Sequence, residues 1–175
     1  MPVTVKLAYF ALAATGNAVA FLLIGIWYVL PYVSRLPLPR ALTPLLLFSA
    51  FRVNGLFFLV AGIAAADIPK SFAVPTAYGD AAAAALALVA AIALRYQPSM
   101  GVALAWAYNV LGSLDLLNAL AQVAIRGVMP AHFGATWWLP AVNVPALAVA
   151  HFLMFVLLIR ALSSGERPRA QPLRP

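Results

Sequence analysis

Arg52 lies in the stretch FRVNGLFF, residues 51–58, with Asn54 two positions on and apolar sequence on both flanks. Two further apolar stretches, NVLGSLDLLNALAQ and AVNVPALAVAHFLMF, carry Asp115 and Asn118 in the first and His151 in the second. A guanidinium cannot shed its proton to escape an apolar environment, so it must find an acceptor, and a carboxylate is the strongest one. Asp115 is the acid expected near the middle of such a stretch and is therefore the expected partner of Arg52. Arg52, Asn54, Asp115, Asn118 and His151 are expected to form one buried polar cluster. Such a cluster either lines a cavity for a polar or amphipathic ligand or a proton path, or it is glue between helices at about 0.6 kcal/mol per contact.

The surrounding polar residues refine this picture. Tyr108, Asp115 and Gln122 recur at heptad spacing with Asn118 three residues past Asp115, which predicts one polar stripe on a helix, while Asn109 and Ser113 fall on another face. Ser49 accompanies Arg52, Asn143 accompanies His151, and Asn17 comes from the first apolar stretch. No catalytic residue is expected: Ser113 and Asp115 are two apart and point to different faces, and the chain has no cysteine. The two histidines, His132 in a connection and His151 in a helix, lack a metal-ligand or haem spacing, so neither metal nor cofactor is expected. Asp80, in YGD ahead of a run of alanines, reads as a helix cap.

The elements that hold these groups are set by composition. Of 175 residues, 65% are hydrophobic and 9% charged, with a mean hydropathy of +0.98. That is an all-α polytopic membrane bundle. Apolar runs at about 7–30, 45–66, 80–96, 101–124 and 141–161 give five helices, each near the ~20 residues that cross a bilayer core. The first run is too long for a signal peptide and reads as a retained helix. One transmembrane domain over 1–162 and a basic Pro/Arg tail over 163–175 follow. At ~1.5 Å per residue, Arg52 would lie about 10 Å and Asp115 about 21 Å from the same membrane face.

Charge asymmetry orients the bundle. With five spans, Lys6, Lys70 and Arg126 fall on one face, and Arg35, Arg40, Arg95, Arg160, Arg167, Arg169 and Arg174 on the other. The richer face is expected in the cytoplasm, with the C-terminus there and the N-terminus outside. The net charge of +7 is spread over connections and tail, which suits anionic lipid and not nucleic acid. Trp137 and Trp138 in the outer connection suit an interfacial belt. Small residues in the first and third spans predict that these two helices pack together.

The residues Arg52 and Gly55, Phe72, Ala73, Gly79 and Asp80, Ala105, Trp106, Asn109, Leu114 and Asp115, and Val144, Pro145 and His151 follow in an order that resembles a group of small bacterial inner-membrane proteins without an established activity. The resemblance spans residues 51–152. It implies the inner (cytoplasmic) membrane of a bacterium and picks out Arg52, Asp80, Asp115 and His151 without giving any of them a role. Two function classes then stand. One is a non-catalytic subunit of a larger membrane complex, with lipids and other subunits or further copies of itself as partners. The other is a small binding or transport protein that uses the cluster for an amphipathic ligand or protons.

Overall fold

The computed structural model describes residues 3–163, with side chains from Leu7 onward. The expected tail over 163–175 lies outside the described residues, apart from Ser163. The architecture is all-α. Helix α1 (Val3–Ile24) runs through a π turn at Gly25–Val29 into the short α2 (Leu30–Val33). Helix α3 (Leu38–Ser49) continues as a 3-10 helix over Ala50–Leu59, and α4 (Lys70–Tyr96) and α5 (Pro98–Ile125) form a hairpin with only Gln97 between them. A 3-10 segment (Pro130–Trp137) and a π turn (Leu139–Asn143) lead into α6 (Val144–Ser163). Among the described residues, five stretches are long and apolar enough to cross a membrane: Leu7–Val33, Leu38–Leu59, Lys70–Tyr96, Pro98–Ile125 and Leu139–Ser163.

Two of these differ from the apolar runs read in the sequence. The second span begins at Leu38, because Pro39 sits in the first turn, where a missing N–H costs nothing and the fixed φ suits a helix. Arg40 is tolerated there because its stem can reach out to the headgroups. The third span begins at Lys70, and it carries Pro75 and Gly79 within it. Membrane helices accommodate both residue types more often than soluble ones do. Asp80 is therefore no helix cap: it lies ten residues inside α4, whose N-cap is Pro69.

Helix α4 forms the centre of the bundle. Ala73, Ala77, Asp80, Ala84, Ala87, Ala91 and Leu94 follow one another at alternating spacings of four and three, and all but Asp80 are buried. Without a hydrophobic force between helices in lipid, such a seam of small side chains gains stability by close backbone approach. It packs against α5 on one side and against α3 and the 3-10 segment on the other. At the hairpin's closed end, a Cβ on Gly101 would run into the backbone of Leu94, so only glycine fits.

That crowding leaves no place for α1 on the alanine helix. Contrary to the expectation, α1 packs on α6 and on the Leu139–Asn143 turn. Gly25 permits the approach, since a Cβ there would lie 2.9 Å from Val149 Cγ1. Asn17 does not join the central cluster; its Nδ2 donates to the carbonyl of Ala141 at 3.0 Å. The residue four positions on from Ala141 is Pro145, which has no N–H to offer, so the amide of Asn17 supplies a donor that the helix lacks.

The loops at the end of the bundle holding Leu59, Lys70, Ile125 and Leu139 are tied to each other. Ala65 N–H donates to His132 O at 3.3 Å and Ala135 N–H to Ile63 O at 2.8 Å. Gly134, at φ 54°, allows this junction. Beneath it, Phe58, Phe72 and Phe133 meet with ring centroids 5.9–6.2 Å apart. Trp138 packs against that apolar cluster and Trp137 is exposed at the same end.

Candidate functional site

The site begins with the unusual backbone of the second span. A 3-10 helix has three residues per turn, so residues three apart eclipse one another, and runs beyond three or four residues are uncommon. Here ten residues adopt it, and Arg52, Gly55 and Phe58 line up on its buried side, continuing from buried Ser49 in α3. Phe51, Val53, Phe57 and Leu59 are exposed. The 3-10 geometry thus aims a single cation at α4 while leaving an apolar face outward.

Depth then selects its partners. Measured from the ends at Leu59, Lys70, Ile125 and Leu139, Arg52 lies about 14 Å in, Asp80 and Asp115 about 15 Å in, and His151 about 18 Å in. The four groups share one level near the middle of the bundle. The offset of roughly 10 Å expected between Arg52 and Asp115 disappears because the second span starts seven residues earlier than its apolar run suggests.

Arg52 is 1% exposed and distributes its donors over three neighbours. Nε donates to Asp80 Oδ1 at 2.8 Å, and Nη2 lies 2.8 Å from the same oxygen. Nη2 also reaches Asp115 Oδ2 at 2.6 Å, and Nη1 donates to the carbonyl of Gly112 at 2.8 Å. Each carboxylate therefore commits one oxygen to the guanidinium. The Asp80 side chain stays 18% exposed and that of Asp115 28%.

Three glycines make room for these approaches. A Cβ on Gly55 would lie 2.7 Å from Asp80 Cβ, and one on Gly79 would lie 2.5 Å from Asp115 Oδ1. One on Gly112 would lie 2.8 Å from His151 Cε1 and 3.2 Å from Arg52 Nη1. Every helix of the site thus contributes a polar group and, on α4, α5 and the 3-10 segment, a glycine that admits the neighbour's polar group.

A second arm extends from Gly112 to α6. Asn109 is fully buried; its Nδ2 donates to the His151 carbonyl at 3.2 Å, which turns its Oδ1 toward His151 Nδ1 at 2.7 Å. Nδ1 then carries a proton, and Nε2 faces the Tyr108 hydroxyl at 3.4 Å. The two rings stack at 5.1 Å. With this imidazole neutral, the charges of the cluster are one guanidinium and two carboxylates, and when both acids are ionised one negative charge lacks a counter-charge among the described residues.

The structure brings together Arg52, Asp80 and Asp115, with His151 adjoining at Gly112. Asn54 is half-buried and Asn118 exposed, and neither makes a hydrogen bond to the cluster among the described residues. Asn109 takes the place expected of Asn118, since nine residues separate them and a helix turns them about 180° apart. Ser113 bonds back to Asn109 O at 2.6 Å, and Gln122 accepts from Arg126 Nε at 2.9 Å. His132 Nδ1 accepts from Met129 N–H at 2.9 Å and so caps its own loop. Among the described residues no three His, Cys, Asp or Glu side chains gather as metal ligands would.

A cavity of about 50 Å³ reaches the cluster from the loop end. Phe58, Phe72 and Phe133 line it with Thr76 and Asn143, and Asp80 stands at its inner end. About 10–15 Å³ of such volume holds one water, so this space takes a few waters or a small organic group.

Residues 9–159 match a family described as a domain of unknown function, DUF8737, and the chain belongs to that family. No curated protein matches the chain. No solved structure matches it either.

Proposed function

We propose that this DUF8737 member is a small membrane protein that binds a cationic, partly apolar molecule at Asp80, with protons as the competing occupant. The observation that carries this reading is one arginine shared between two carboxylates, one of which faces an aromatic-walled cavity. A bare negative charge is costly in the middle of a membrane, so the site is stabilised when a cation arrives. An ammonium group fits the requirement: it donates to a carboxylate oxygen that Arg52 leaves unused, and the apolar walls at Phe58, Phe72 and Phe133 suit its apolar body.

Thermal unfolding in detergent with a series of alkylammonium chlorides, from methyl to hexyl, tests this against sodium chloride at equal ionic strength. A ligand that binds only the folded state raises the midpoint in a saturable way. Midpoints that follow ionic strength alone in every salt would refute the proposal.

One observation favours a second reading, a non-catalytic subunit of a larger membrane complex. The outward face of α1 is uncovered: a Cβ on Gly16 would meet nothing within 4 Å, and Leu12, Val19 and Leu23 are exposed beside it. Gly16 and Ala20 form a small-xxx-small pair of the kind that admits another helix. Cross-linking at Val19 that yields a discrete adduct would favour it. In either reading we place the protein in a bacterial cytoplasmic membrane with its arginine-rich end inward.

A further inference from the structure

At the opposite end of the bundle a groove of about 190 Å³ opens between the turn after α2, the start of α3 and the last turn of α6. Ser34, Leu36, Leu38, Leu157 and Arg160 line it. Arg160 Nη1 lies 3.4 Å from Ser34 Oγ, a long contact that leaves most of the guanidinium donors without a hydrogen-bond partner among the described residues. Arg35, Arg40 and Arg95 sit at the same end, on the turn after α2, the first turn of α3 and the last turn of α4. The described acids are elsewhere: Asp80 and Asp115 are held by Arg52, and Asp67 lies beside His132 at the other end. Trp27, Tyr28, Tyr32 and Tyr96 are all more than 60% exposed near this end, as rings at headgroup depth would be.

We propose that this groove binds the phosphate of an anionic glycerophospholipid, with Arg160 and the Ser34 hydroxyl on the phosphate oxygens and the acyl chains along Leu36, Leu38 and Leu157. A planar guanidinium and a hydroxyl directed into one groove match two oxygens of a phosphodiester. The first turn of α3 adds the positive end of a helix dipole on the same side. The gathering of Arg35, Arg40, Arg95 and Arg160 at this end favours a lipid whose headgroup has no ammonium of its own. A zwitterionic headgroup would set its cation among the four arginines.

Native mass spectrometry of the full chain released from nanodiscs of mixed phosphatidylglycerol and phosphatidylcholine tests this. We expect one retained phosphatidylglycerol, enriched at least fivefold over phosphatidylcholine. Arg160→Gln should abolish the enrichment, and Arg95→Gln, at the same end but outside the groove, should keep it. Equal loss in both variants would reduce the effect to net charge and overturn the site. Equal retention of the two lipids would overturn it as well. Displacement of the lipid by millimolar inorganic phosphate would show a free-anion site and overturn the lipid assignment.

Discussion

Nε and Nη2 of Arg52 both lie 2.8 Å from one oxygen of Asp80, a residue twenty-eight positions further along the chain and on the next span. That double contact makes Asp80 the tighter of the two acids on the guanidinium. Asp115 meets Nη2 alone and is the more exposed. Asp115→Asn would therefore leave the doubly bonded Arg52–Asp80 pair and should change the unfolding free energy in detergent by less than about 1 kcal/mol in either direction, whereas Asp80→Asn leaves only the single Asp115 contact and should cost about 1.5–3 kcal/mol. Equilibrium unfolding of the two variants side by side checks the order.

The glycines supply a second comparison. Gly79→Ala would press a methyl onto Asp115, and Gly112→Ala would press one onto His151 and Arg52, each at a cost of about 1–3 kcal/mol from overpacking. Gly16→Ala places its methyl in open space and should be neutral or slightly stabilising. Thermal midpoints of the three variants in one detergent separate steric from propensity effects.

Lysine cannot replace Arg52. Asp80, Asp115 and the Gly112 carbonyl are reached by three different nitrogens of one planar group, and an ammonium on a flexible stem cannot span all three. Arg52→Lys should keep the charge yet lower stability by about 2–3 kcal/mol, from acceptors left unpaired. A variant as stable as the parent would mean that charge alone matters at this position.

Orientation is open to direct labelling. The end bearing Arg35, Arg40, Arg95 and Arg160 should face the cytoplasm, while the Asp67–His132 loops face outward. The chain has no native cysteine, so a single cysteine at Asp67 should react with an impermeant maleimide on intact cells, and one at Arg35 should react only after lysis. The reverse pattern would invert the topology.

Parts of this site were legible in the sequence for a physical reason. Arg52 and Asp115 each stand in an apolar run where a lone charge is expensive, and that cost alone pairs them. The place of Asp80 in the cluster is hidden because a Gly-Asp before an alanine run has the form of a helix start. The clue that survives is spacing, since Asp80 occupies a position in the four-three series of buried alanines. Asn109 was hidden by the stripe through Tyr108, Asp115 and Gln122, which drew Asn118 into the cluster. The buried face of α5 instead follows Gly101, Ala105, Tyr108, Asn109 and Gly112. The 3-10 backbone left its own mark, a polar or small residue every third position at Ser49, Arg52 and Gly55.

The central claim is that one arginine is held between two carboxylates at mid-membrane, and a comparison of two variants measures it most directly. Arg52→Leu alone leaves two acids facing each other without a cation, and its unfolding free energy in detergent should fall by about 3–5 kcal/mol. Arg52→Leu combined with Asp80→Leu and Asp115→Leu removes every charge together and should recover most of that loss. A triple variant less stable than Arg52→Leu, by the sum of the separate aspartate effects, would show that the three charges act independently and would contradict the account.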